Sequence, residues 1–179
     1  MPSSAQKLLL NTLENGLPGI SKAWGQFLGE ASSQCLNLKN HANGVAMQVK
    51  GDSETVFRVF WNNEITEQTR NAWNDTQELT EYGAIGIAIL LIVKMTEFTV
   101  IRRAVKGEGV DFWLGYKTDK EPFQDVARLE ISGILEGNES KIEARVQQKK
   151  AQTYPTDDNY PAYIIIVEFS KPVSHLERK

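Results

Sequence analysis

Cysteine is nearly absent from this chain. Cys35 is the only one in 179 residues, which excludes an intramolecular disulfide and a thiolate metal cluster and is compatible with a reducing compartment. A buried, inert thiol is expected there. Histidine is equally scarce: His41 and His175 lie far apart with no nucleophile pattern beside either, so no Ser-His-Asp or Cys-His mechanism is supported, and no Walker-type or dinucleotide glycine motif appears. An excess of one charge is missing too. With a net charge of -3 and a pI near 5.5, any nucleic-acid contact must rest on a local basic patch. Long apolar runs are absent. The most apolar stretch, Tyr82 to Val93, falls short of the roughly 20 residues that a membrane-spanning helix needs, and reads as a buried core helix. Leu8-Leu9-Leu10 is followed at once by Asn11, Glu14 and Asn15, unlike a secretory signal, so a cytoplasmic location and no membrane partner are expected.

What is present is the composition of a globular domain, 41% hydrophobic and 24% charged, long enough for a sizeable core. Residues 5–35 hold helix-prone stretches broken by Gly16, Pro18 and Gly19 and predict two short helices. Gly44–Lys50 alternates Val45, Met47 and Val49, and Glu54–Trp61 is rich in Val and Phe around the turn Gly51-Asp52-Ser53, which predicts a hairpin. A helix over Ile65–Trp73 and a longer one over Thr76–Met95 follow. Strands are predicted over 98–105, 109–115 and 126–134, and an amphipathic helix over Glu139–Gln152, where Ile142 and Val146 are four apart. After a loop containing Pro155, Asp157, Asp158, Asn159 and Pro161, the continuous run Tyr163–Phe169 predicts a strand buried on both faces, and Lys171–Lys179 a polar tail.

Two of the strands carry one acid each. Asp111 stands beside Val110, Phe112, Trp113 and Leu114, and Glu130 alternates with Leu129 and Ile131, on the opposite face from them. If these strands pair, Asp111 and Glu130 converge on one divalent cation whose charge offsets their repulsion.

The order helix, three strands, helix, strand from residue 76 onward, with Asp111 at the second strand and Glu130 at the third, resembles the core of the restriction-endonuclease-like superfamily, the PD-(D/E)xK nucleases. The resemblance covers residues 76–170. It implies an α/β (α+β) fold with a mixed central sheet flanked by helices, a core over residues 76–179, and residues 1–75 as a helical and β-hairpin extension. It also implies hydrolysis of DNA or RNA phosphodiesters with Mg²⁺ or Mn²⁺. Asp111 and Glu130 match the family's metal-binding acids, the Ile131 backbone carbonyl supplies a third oxygen, and Glu81 or Glu78 matches the acid often supplied by the first helix.

Ser132 stands where the family usually has lysine, a group that positions the attacking water and stabilises charge on the phosphate. Two alternatives follow. Lys141, Arg145 or Lys149 on the following helix supplies the missing cation and activity survives. Or the chemistry is lost, leaving a nuclease-fold protein that binds nucleic acid or a protein partner in a larger assembly, for example a defence system. Purely structural roles compete at each position: a turn for Asp111, a cross-strand ion pair for Glu130, helix-dipole complementarity for Glu78 and Glu81. Arg102, Arg103, Lys106, Lys141, Arg145, Lys149 and Lys150 are interleaved with Glu97, Glu108, Glu139 and Glu143 and read as a solvated mixed face. Trp61, Trp73 and Trp113 read as core.

Overall fold

A computed structural model describes residues 6–154 and 159–179; Ala5 and the Pro155–Asp158 part of the expected loop lie outside them. The chain is α/β, with one mixed sheet of eight strands and helices on both faces. The elements are β1 (Gln6–Leu9), a 3-10 turn (Leu10–Asn15), α1 (Lys22–Leu38), β2 (Val45–Gly51), β3 (Thr55–Phe60), α2 (Glu67–Ala72) and α3 (Thr76–Met95), then β4 (Phe98–Arg103), β5 (Phe112–Tyr116), β6 (Ala127–Ile134), α4 (Glu139–Thr153), β7 (Ala162–Glu168) and β8 (Val173–Arg178). The sheet order is β1-β3-β2-β8-β7-β6-β5-β4. Among the described residues no helix is long and apolar enough to cross a membrane.

Residues 6–35 depart from the expectation of two short helices. Leu8-Leu9 forms a strand parallel to β3, because with period 2 Leu8 turns inward and Lys7 and Leu9 outward. Gly16, at φ 76, ends the 3-10 turn, and a single 17-residue α1 then starts at Ser21, whose side chain accepts from the Trp24 N–H. The polar tail is also a strand. Glu168 accepts from the N–H groups of Ser170 and Lys171, at 2.8 Å each, folding the turn that returns β8 antiparallel to β7. On its other side β8 pairs parallel with β2, so the 44–61 hairpin and the 98–168 strands share one sheet.

The two faces are covered differently. Tyr163, Ile165 and Val167 of β7 pack with α1 and α3 in the larger core. Ile164 and Ile166 face Ile142 and Val146 of α4, burial that contributes roughly 1.5–3 kcal/mol per aliphatic side chain. All seven residues of β7 are buried, as its unbroken apolar run predicts. α3 starts at Asp75, whose carboxylate accepts from the Gln77 and Glu78 N–H groups. Gly133 lets it lie close on β6, since a Cβ there would stand 2.4 Å from the Thr80 carbonyl oxygen. Trp61, Trp73 and Trp113 are buried, as is the Cys35 thiol, which burial pushes well above its ordinary value.

Candidate active site

The site begins where β5 stops pairing. β5 and β6 are in register from Phe112↔Leu129 to Leu114↔Ala127. One position further, Asp111 lies just before β5 and still donates its N–H to the Leu129 carbonyl at 3.0 Å. The next β6 donor on that side is the Ile131 N–H, and the Asp111 side chain takes it: Oδ2 accepts at 2.7 Å. Leu129 and Ile131 are two apart, so their backbone groups face the same way. The Ile131 carbonyl therefore also points at the gap left by the late start of β5.

Glu130 projects to the α4 face with Ser132, as period 2 requires. It is 5% exposed, and its carboxyl lies within hydrogen-bonding reach of Asp111. Burial and then the Asp111 charge push the Glu130 carboxyl up to about 7, against the pull of Lys149. Asp111 is also raised, chiefly by burial, while the Ile131 N–H, Lys149 and Arg103 favour its ionised form. Burial thus favours the protonated form of both carboxyls, and the Asp111 charge adds to this at Glu130.

α4 supplies the cations. Lys141, Arg145 and Lys149 are four apart and form a stripe beside the buried Ile142 and Val146, so packing of the apolar stripe aims the basic one at the acids. Lys149 Nζ sits 2.6 Å from Glu130 Oε1, and Arg145 donates to Ser132 Oγ at 2.7 Å. Lys141 donates instead to the Glu136 carbonyl at 3.0 Å. These residues border a groove of about 600 Å³ whose other wall is α3, with Glu81, Tyr82 and Ile85, and whose floor is β6 from Ile131. Glu130 opens into an adjoining cavity of about 710 Å³, and Arg103 and Asp111 line both.

Of the residues singled out from the sequence, Asp111, Glu130, Ile131 and Lys149 are brought into contact. Glu81 is exposed on the opposite wall, and Lys141 stands at the rim. Arg103 and Tyr82 carry no motif that marks them, although the four-residue spacing of the α4 cations against Ile142 and Val146 is legible. Among the described residues, no three His, Cys, Asp or Glu side chains gather as a metal-holding set. The donor chemistry nonetheless fits a hard divalent cation. Two carboxyls stand close together, a backbone carbonyl is adjacent, and Mg²⁺ usually keeps several waters and needs only one or two carboxylates.

No protein-family profile matches this chain, and no curated protein or solved structure matches it.

Proposed function

We propose that this groove is the catalytic site of a metal-dependent nuclease that hydrolyses phosphodiester bonds of DNA or RNA. The observation that carries the proposal is the buried Asp111–Glu130 pair with the Lys149 ammonium 2.6 Å from Glu130. Further support comes from the order α3-β4-β5-β6-α4-β7, with β4, β5 and β6 antiparallel and β6 parallel to β7, which agrees with a restriction-endonuclease-like core. Asp111, Glu130 and the Ile131 carbonyl would hold Mg²⁺ or Mn²⁺, with Glu81 reaching in from α3. When bound, the ion supplies Lewis-acid polarisation and a water of lowered pKa.

The chain's own residues do the rest. Glu130 must be ionised to act as a ligand, so its proton leaves to solvent as the ion enters. Lys149 then stands beside the ligand set, where its ammonium donates to a phosphoryl oxygen and stabilises developing negative charge. Arg145, held on Ser132 Oγ, puts a guanidinium at the motif-lysine position and offers a planar fork for the phosphate. Ser132 is thus the anchor of a cation that arrives from α4.

The test is cleavage of single-stranded and duplex DNA and RNA by the full chain with Mg²⁺, Mn²⁺ or EDTA, alongside Asp111→Asn and Glu130→Gln. Metal-dependent cleavage in the wild type, lost in both folded variants, is expected. Absence of cleavage on every substrate, or cleavage untouched by either variant, overturns the proposal in favour of a non-catalytic protein of the same fold that binds nucleic acid or a protein partner.

A further inference from the structure

We infer that Tyr82 on the α3 wall of the groove, with the exposed Phe27 ring of α1 packed against it, forms a base-stacking surface, and that the polymer fitting the site is single-stranded nucleic acid. The inference rests on the nuclease reading of the groove and names its substrate class.

Three aromatic rings pack as one cluster, and one of them reaches the groove. Tyr82 lines the groove one residue from Glu81, and its hydroxyl has no hydrogen-bond partner among the described residues. Phe27 of α1 meets it edge-on, with centroids 4.8 Å apart at 77°. Trp73 lies behind both, 4.8 Å from Phe27 and 6.2 Å from Tyr82. Trp73 is buried and its indole N–H donates to Glu30 at 2.8 Å, which fixes the cluster from the rear. Phe27, by contrast, remains 39% exposed although it is backed by two rings. Three residues earlier on α1, half-buried Trp24 carries the Arg103 guanidinium 5.1 Å from its ring centroid. Arg103 itself lines the groove beside Asp111. Aromatic surface thus extends from Tyr82 in the groove to Phe27 beside it, and the groove's cations are Arg103, stacked on Trp24, and those of α4.

That arrangement suits a strand whose bases are free. Every unpaired base has a π face that stacks on an aromatic side chain, whereas paired bases present only their edges in the grooves. The charge supply points the same way. The groove's cations are Arg103, Lys141, Arg145 and Lys149 in a chain of net charge -3, enough to follow a few phosphates of one strand. The recessed position of Glu130, 5% exposed, also favours a narrow polymer over a rigid duplex.

The experiment is fluorescence anisotropy in EDTA, which removes turnover, with labelled DNA and RNA oligonucleotides: single strands, matched duplexes, and abasic strands of equal charge. At ~1–3 kcal/mol per stacked base, the single strand should bind about 5- to 150-fold more tightly than its abasic counterpart. Phe27→Leu and Tyr82→Leu, each checked for folding by circular dichroism, should shrink that ratio while leaving abasic affinity unchanged. Equal binding of normal and abasic strands, a preference for duplex, no binding at all, or an unchanged ratio in both variants overturns the inference. Because cleavage is not the readout, the two claims fail separately: aromatic-dependent binding without cleavage on any substrate removes the nuclease proposal alone, and metal-dependent cleavage with equal abasic binding removes this one alone.

Discussion

Lys149 Nζ lies 2.6 Å from Glu130 Oε1, a contact between the face of β6 that turns away from Leu129 and the basic stripe of α4. The ammonium favours the ionised carboxylate and opposes the burial that pushes its pKa up. Lys149→Met should therefore move the Glu130 carboxyl above its wild-type value of about 7, measurable by NMR titration. It should also lower metal-dependent cleavage by roughly 100-fold or more, the scale of losing one electrostatic stabiliser. An unshifted Glu130 titration would show that the contact does not operate in solution.

Stability should depend on pH through the same carboxyl. Its folded pKa is raised from 4.5 to about 7, so the folded state keeps a proton that the unfolded chain releases. The contribution is complete below the unfolded value and is lost as pH rises through the folded one. Over that span the loss is on the order of 3 kcal/mol. Glu130→Gln should flatten the decline between about pH 4.5 and 7, followed by urea unfolding at each pH. Parallel curves for the two proteins would contradict the assignment.

Divalent ions should reverse this trend. At pH above the Glu130 pKa both carboxyls are ionised and repel, so Mn²⁺ or Mg²⁺ should raise Tm more at alkaline than at acidic pH, and Asp111→Asn should diminish the gain. Equal shifts in the wild type and the variant would remove Asp111 from the ligand set.

Arg145 and Ser132 form a pair that can be exchanged. If Arg145 provides the motif cation, Arg145→Ala should reduce cleavage on the order of 100-fold, and adding Ser132→Lys should restore part of it. Ser132→Lys alone places a third cation against Arg145 and Lys149 and should not improve on the wild type. Activity of the double variant no higher than that of Arg145→Ala would show that the cation at this position is dispensable.

The groove also depends on Gly133. A Cβ there would meet the Thr80 carbonyl oxygen at 2.4 Å and Thr80 Cγ2 at 2.8 Å. Gly133→Ala should therefore push α3 off β6 and cost about 1–3 kcal/mol, read by chemical denaturation. An unchanged midpoint would show that α3 adjusts freely against the sheet.

Much of this architecture is written in local pattern. The alternation of Val45, Met47 and Val49 marks β2, the unbroken Tyr163–Val167 run marks a strand covered on both faces, and Ile142 with Val146 marks the buried side of α4. Each depends only on a period of 2 or 3.6, which neighbouring residues decide among themselves. Asp111 and Glu130 stand out for the same reason: acids beside apolar strand residues are conspicuous in the sequence. β1 and β8 are different. Leu8-Leu9 and Val173–Arg178 are short, mixed segments that become strands because β3, β7 and β2 offer them backbone partners, and pairing over long sequence separations leaves little local signature. The same holds within the site. The sequence by itself determined which acids and cations were available and that Lys141, Arg145 and Lys149 share a helix face. Only the tertiary structure decided that Lys149 meets Glu130, that Arg145 meets Ser132, and that Tyr82 on the facing wall packs against Phe27. Those contacts follow from where β5 begins and how closely Gly133 lets α3 approach, which are properties of the packed sheet.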